Sequence, residues 1–307
     1  MNIGVVIVTF NRIEKLKIAL SKFDEQSLQP AYILVVNNAS TDGTYEFLAD
    51  WKEKEGSQYK RIVINCNENK GGSGGFARAL EGALKEKANW IWVSDDDAYP
   101  EKDTLKKVSD YISGHPDKKL AAICTTVLNN GEIDIWHRRR VHKGLLTISE
   151  SYVPVEEYTK DQFRLDEFSY VGVVIRKVAI EKVGVTDATL FINQDDTEHS
   201  LRISKVGKIV CVPEIKIHHD TGKPNGKEVS WKRYYEIRNR YYSYKSNFPP
   251  RYSRTFYLVT YCKYIVKRVF HLRSSDELNM YKEALHDIHH GIRGMNNTYK
   301  PGWKFNK

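Results

Sequence analysis

The stretch Trp90-Ile91-Trp92-Val93-Ser94-Asp95-Asp96-Asp97-Ala98 does most to limit what this chain can become. Its first half is apolar and aromatic, the composition of a buried strand. Its second half is three consecutive carboxylates. A buried strand ending in packed negative charge is costly unless cationic groups gather there. A divalent cation with oxygen ligands, Mg²⁺ or Mn²⁺, is an economical answer, and a tight turn would aim Asp95 and Asp97 at one ion. The plainer alternative is a solvated acidic loop.

Around this run the chain alternates apolar strands with helical spacing. Ile3 to Val8 is β-branched nearly throughout, as a central parallel strand would be. Ile13 to Phe23 places apolar residues at helical intervals. Tyr32 to Val36 is a second strand; the capping-rich loop Asn37–Thr44 then opens a helix through Trp51. Arg61 to Ile64 is a third strand. It is followed by the glycine-rich loop Asn69–Arg78 and a helix to Lys85. This alternation predicts a doubly wound α/β sheet, in which ligands sit beyond the carboxyl ends of the strands. Thr9–Arg12, Asn37–Thr44, Asn69–Arg78 and Asp95–Ala98 all fall at that edge.

Further along, Leu120–Cys124, Val171–Arg176 and Lys208–Pro213 read as strands, and Ile133–Arg140 as a basic, aromatic hairpin region. The apolar Leu190-Phe191-Ile192 leads to a second acidic cluster, Asp195-Asp196, at the start of a helix. Carboxylates there suit the helix dipole, or one of them serves as a general base. His218 and His219 follow a strand, where an imidazole either ligates a metal or simply packs. Gly71-Gly72-Ser73-Gly74-Gly75 lets backbone approach closely, as a phosphate cradle would. Its spacing matches neither the P-loop nor the dinucleotide fingerprint. Together these parts describe metal-assisted departure of a diphosphate, with a base deprotonating an incoming hydroxyl.

At this point the motifs resemble a known family. Val6-Ile7-Val8-Thr9-Phe10-Asn11-Arg12, the loop Val35–Thr44 and Asp95-Asp96-Asp97-Ala98 look like those of family 2 inverting glycosyltransferases with a GT-A fold, over roughly residues 3 to 220. Asn69 with Gly71–Arg78 is similar to the galactofuranosyltransferase branch, which uses UDP-galactofuranose. The resemblance implies a GT-A type doubly wound mixed sheet over residues 1–225, with a nucleotide-sugar half (1–100) and an acceptor half (101–225). A basic, tyrosine-rich helical extension (226–307) would follow. It further implies that Thr9, Phe10 and Arg12 hold the uracil and phosphate end of the donor. Asn38, Gly74, Gly75, Arg78 and Asp95 join that donor side, and Asp96 faces the sugar. Asp95, Asp97 and His219, with His218 as the alternative, would bind Mn²⁺ or Mg²⁺. Of Asp195 and Asp196, the second matches the base. Asn37 stands where many members carry Asp, so an acidic contact to the base or ribose is lost.

The implied reaction is inverting transfer of galactofuranose to a sugar hydroxyl of a lipid-linked cell-surface polysaccharide precursor. Rhamnosyl transfer from dTDP-rhamnose is the alternative. A sugar nucleotidyltransferase is disfavoured, because its glycine-rich signature normally follows the first strand. The net charge of +9 would also suit a nucleic-acid binder. Yet two acidic clusters would repel phosphate in the crevice, so no nucleic-acid partner is expected. No secretory leader or run of ~20 apolar residues is visible. The four cysteines are widely spaced, as in a reduced cytosolic protein. Arg251 to Arg268 mixes aromatic and aliphatic residues with basic ones, as an interfacial helix does. The expected location is therefore cytoplasmic, with peripheral contact at the inner face of an anionic membrane. All of this requires Asp196 and Asp95 to face one pocket.

Overall fold

A computed structural model describes residues 2–221 and 230–304. The expected domain boundary at 225/226 lies outside the described residues. The first half runs β1 (Ile3–Thr9), α1 (Ile13–Asp24), β2 (Tyr32–Asn37), α2 (Thr44–Glu53), β3 (Lys60–Asn65), α3 (Gly71–Ala83) and β4 (Trp90–Asp95). It continues with β5 (Ala98–Pro100), α4 (Thr104–Gly114), β6 (Leu120–Asn129) and β7 (Glu132–Ile133). A hairpin of β8 (Arg138–Lys143) and β9 (Ile148–Tyr152) follows, then β10 (Phe163–Leu165), β11 (Glu167–Phe168), β12 (Val173–Arg176) and α5 (Lys177–Val183). The chain ends in α6 (Asp195–Val206), β13 (Lys208–His219), α7 (Lys232–Asn247), α8 (Pro250–Val269) and α9 (Ser275–His290).

The main sheet has the order β10-β13-β6-β12-β4-β1-β2-β3. β3, β2, β1 and β4 are parallel, whereas β12 lies antiparallel between β4 and β6. The sheet is therefore mixed, as expected. Strand alternation sends Val5 and Ile7 to the side covered by α1, α2 and α4, and Val6 and Val8 to the side covered by α3, α5 and α6. Burial on both faces explains why β1, β2 and β4 read as near-continuous apolar runs. Lys208–Pro213 and Ile217–His219 belong to one strand, interrupted by a register shift between Cys211 and Lys216.

One segment departs from the sequence reading. Gly71–Arg78 is not a loop: α3 begins at Gly71, and Gly74, Gly75 and Arg78 lie inside it. A Cβ on Gly75 would stand 2.5 Å from Val8 Cγ1, so the glycine lets α3 seat directly on β1. That close packing overrides the low helix propensity of glycine.

The three C-terminal helices form their own core. Tyr234, Tyr235, Tyr264, Met280, Tyr281 and Leu285 enclose Phe191, which comes from the loop before α6.

Candidate functional site

At the carboxyl end of β4 the chain turns sharply, and the three carboxylates diverge. Asp96 turns inward: its Oδ2 accepts a 2.7 Å hydrogen bond from the Thr9 hydroxyl, and Arg12 reaches its other oxygen at 3.3 Å. Asp97 Oδ2 takes a 2.7 Å bond from the same guanidinium, with Lys15 Nζ at 3.8 Å. Asp97 Oδ1 lies 3.3 Å from His219 Nε2 at the end of β13. The backbone N–H of Asp220 donates to the Asp97 carbonyl at 2.8 Å, which fixes the two strand ends together.

Asp95, Asp97 and His219 each offer a ligating atom, and these atoms lie within 4.8 Å of one another. His219, not His218, joins the cluster because neighbours on a strand face opposite sides. His218 is turned toward Glu101, 3.6 Å away. Asp97 Oδ1 is buried and makes no well-aligned hydrogen bond, its neighbour at 3.3 Å being the His219 ring nitrogen, and a cation between the two would satisfy both. Two carboxylates and an imidazole suit Mn²⁺ or Mg²⁺. Burial together with Asp97 and Asp96 pushes the Asp95 carboxyl well up. Burial raises Asp96 to about 6 against the pull of Arg12 and Thr9. At Asp97 burial is outweighed by His219, Arg12 and Lys15, so its carboxyl titrates low.

The second acidic pair opens onto a cavity of ≈630 Å³. Asp95, Asp97 and His219 line it together with Asp195 and Asp196. The two clusters thus face one pocket, as the sequence reading required. Asp195 is buried, and burial plus the charge of Asp196 push it up to about 7. Asp196 is half-buried and fixed by the Thr197 N–H, which donates to Oδ1 at 2.6 Å. Arg139 of β8 donates to the Thr197 hydroxyl at 2.6 Å and pairs with buried Glu167 at 3.1 Å. Burial alone would lower Arg139; Glu167 and Asp196 more than reverse that, which sets a firm positive charge beside the pair.

The loop that delivers this pair is strained. Phe191, Asn193 and Gln194 all have positive φ, at 67°, 64° and 67°. Such conformations cost about 1–3 kcal/mol each outside glycine, and least for asparagine. Two side chains from α7 hold the loop in place. The Asn239 amide donates to the carbonyls of Leu190, Ile192 and Asn193 at 2.8, 2.8 and 3.0 Å, and Arg238 donates to Leu190 at 3.2 Å. Both residues are fully buried. From the other side, the Ser73 N–H donates to the Phe191 carbonyl at 3.1 Å. A Cβ on Gly71 would sit 1.9 Å from that carbonyl oxygen, and the φ of Gly71 is +71°. The glycine-rich segment therefore lets this loop approach α3.

Several expected donor contacts have internal partners instead. Thr9 and Asp96 bond each other, and Asn38 donates to Asn69 and to the Gly71 carbonyl at 3.0 and 2.9 Å. Arg78 is exposed and pairs with Glu81. The described cavity lining includes Arg12, Gly72 and Phe76, but not Thr9, Phe10, Asn38, Gly74, Gly75, Arg78 or Asp96. Gly74 packs on Lys70 and Gly75 on Val8, so neither has a free surface toward the pocket. The lining also takes in Lys232 of α7 and Trp136, neither singled out in the sequence. Trp136 is 66% exposed and packs edge-on against Tyr152.

Comparison with known proteins gives the family and the fold. The family model described as Glycosyl transferase family 2 matches residues 4–184. Galactofuranosyltransferase GlfT1 of Mycolicibacterium smegmatis is 27% identical over 212 residues, covering 66% of this chain and 65% of the relative, just under two thirds of its length. The dTDP-rhamnosyl transferase RfbF of Shigella flexneri is 26% identical over 273 residues, covering 81% and 82%. Among solved structures, S. aureus TarS 1-349 in complex with UDP-GlcNAc superposes with a TM-score of 0.60 at 14% identity, covering 95% of this chain and 82% of that one. The mannosyltransferase PcManGT from Pyrobaculum calidifontis, in complex with GDP-Man and Mn²⁺, gives 0.57 at 16% identity, covering 94% and 75%. These structural likenesses show the GT-A fold.

Proposed function

Because the chain belongs to glycosyltransferase family 2, we propose that it transfers galactofuranose from UDP-galactofuranose to a sugar hydroxyl, with inversion. The acceptor we infer is a lipid-linked precursor of a cell-surface polysaccharide. One observation carries the chemistry: a metal-competent cluster and a second carboxylate pair line one cavity. The likeness to GlfT1 supports the donor sugar.

Asp95, Asp97 and His219 would hold the cation, which when bound neutralises the charge developing on the departing diphosphate. Arg12 and Lys232 line the same cavity and add fixed positive charge near those phosphates. Asp196 accepts the proton of the acceptor hydroxyl. The hydroxyl oxygen then forms its bond to the anomeric carbon, and the bond from that carbon to the diphosphate breaks, with the electron pair leaving on UDP. Attack from the face opposite the leaving group inverts the anomeric centre. Asp195 lines the cavity beside Asp196, and Arg139 holds Thr197, whose N–H fixes the base. Trp136 at the cavity edge offers an apolar face to the acceptor ring.

All four cysteines are free thiols, which suits a reducing compartment such as the cytoplasm. No helix among the described residues is long and apolar enough to cross a membrane.

Rhamnosyl transfer from dTDP-rhamnose is the second reading, favoured by the longer match to RfbF. Incubation of the purified chain with each nucleotide sugar, Mn²⁺ and polysaccharide acceptors separates them. Consumption of UDP-galactofuranose with release of UDP is expected. Consumption of dTDP-rhamnose alone would reassign the donor, and consumption of neither would remove the proposal.

A further inference from the structure

The C-terminal helices carry a surface that the transfer reaction does not use. α8 turns Tyr252, Ser253, Thr260 and Tyr264 inward. Its opposite side holds Leu258, Ile265 and Val269 in one stripe, with Val266 and Tyr261 to either side, all exposed. At 100° per residue these positions span an arc of about 140°. The stripe continues past the helix into Phe270 and Leu272, which are 68% and 60% exposed. Single exposed apolar residues are ordinary, but a continuous row along a helix of about 30 Å is not.

Charge narrows what covers this row. From Ile237 to Ser275 the chain has no Asp or Glu and nine Arg or Lys. Arg251 and Arg254 lie at one end of the exposed side of α8, and Lys263 and Arg268 flank it further along; all four are exposed. A second copy of the chain docked through this face would set these cations against their own kind, which costs energy in either helix orientation. An anionic bilayer would take the apolar row into its headgroup boundary and neutralise the basic flanks together.

We propose that the outward face of α8 docks on an anionic lipid surface, lying in the interface and not spanning it. This holds whichever sugar is transferred, so its failure would leave the donor assignment standing.

Vesicle flotation of the full chain tests the surface. Phosphatidylcholine vesicles are compared with phosphatidylcholine–phosphatidylglycerol vesicles, at low and at physiological salt. The wild type should float with the anionic vesicles, and salt should weaken the binding. R251E/R254E should lower partitioning by roughly fivefold or more for each arginine lost. L258D/V269D should abolish it while keeping the wild-type melting temperature, since both side chains face outward. Absence of flotation at low salt would overturn the proposal, as would equal binding to neutral vesicles. A wild-type dimer in sedimentation that L258D/V269D dissociates would also overturn it, and would assign the face to a second copy.

Discussion

Asp97 Oδ1 lies 3.3 Å from Nε2 of His219, which joins the end of the fourth strand to the end of the thirteenth. That contact selects one of two adjacent histidines. His219→Ala should weaken Mn²⁺ binding at least about tenfold, since loss of even an outer-shell partner costs that much. His218→Ala should leave it unchanged, because His218 faces Glu101. Titration of Mn²⁺ by electron paramagnetic resonance reads both. Chelator treatment should stop transfer, and added Mn²⁺ or Mg²⁺ should restore it.

Asp196→Asn keeps the shape of the side chain and removes its basicity. Transfer should fall by about 10²–10⁴-fold, the usual share of a general base. UDP affinity measured by calorimetry should stay close to wild type, because in the proposed mechanism the phosphates are held by the metal cluster and not by Asp196. Retained turnover would exclude Asp196 as the base.

Asp195 carries a pH signature. Its carboxyl titrates at about 7 in the folded chain because it is buried beside Asp196, against about 3.9 unfolded. Between those values the native state holds a proton that the unfolded chain has released. Its contribution to stability is therefore complete below about pH 4 and is lost as pH rises through about 7. Asp195→Asn removes that loss. The variant should gain melting temperature relative to wild type as pH increases, with the difference levelling off above about 8. A difference independent of pH would contradict the placement of Asp195.

Asn239 holds the strained loop before the acidic pair through three carbonyls. Asn239→Leu takes this donor from the Ile192 and Asn193 carbonyls, while Leu190 keeps Arg238, and should cost about 1–3 kcal/mol of stability. Loss of kcat should exceed the change in donor affinity, because the loop carries the base and not the metal cluster. Thermal melting and steady-state kinetics on the same preparation separate the two effects.

The parallel half of the sheet was legible because strands buried on both faces must be apolar throughout, as β1, β2 and β4 are. The acidic half of the candidate metal cluster was legible because Asp95 ends such a strand and Asp97 follows it in the turn. The β8–β9 hairpin was only partly legible: Ile148–Tyr152 is mostly polar and exposed, so it lacks a strong alternation. Gly71–Arg78 was misread because glycines argue locally against a helix, while their packing on Val8 and Phe191 is a tertiary fact. The brace at Asn239 was hidden by its separation of more than forty residues from the loop. A trace of it existed: Arg238 and Asn239 fall on the same buried stripe of α7 as Tyr235 and Tyr242, where a polar residue needs a specific partner.

Anomalous diffraction from crystals grown with Mn²⁺ and UDP would locate the cation and the nucleotide together. The ion should lie among Asp95, Asp97 and His219, bound to the UDP phosphates, with the Asp196 carboxylate open to the same cavity. An ion bound elsewhere, or UDP seated away from this cavity, would contradict the transfer mechanism.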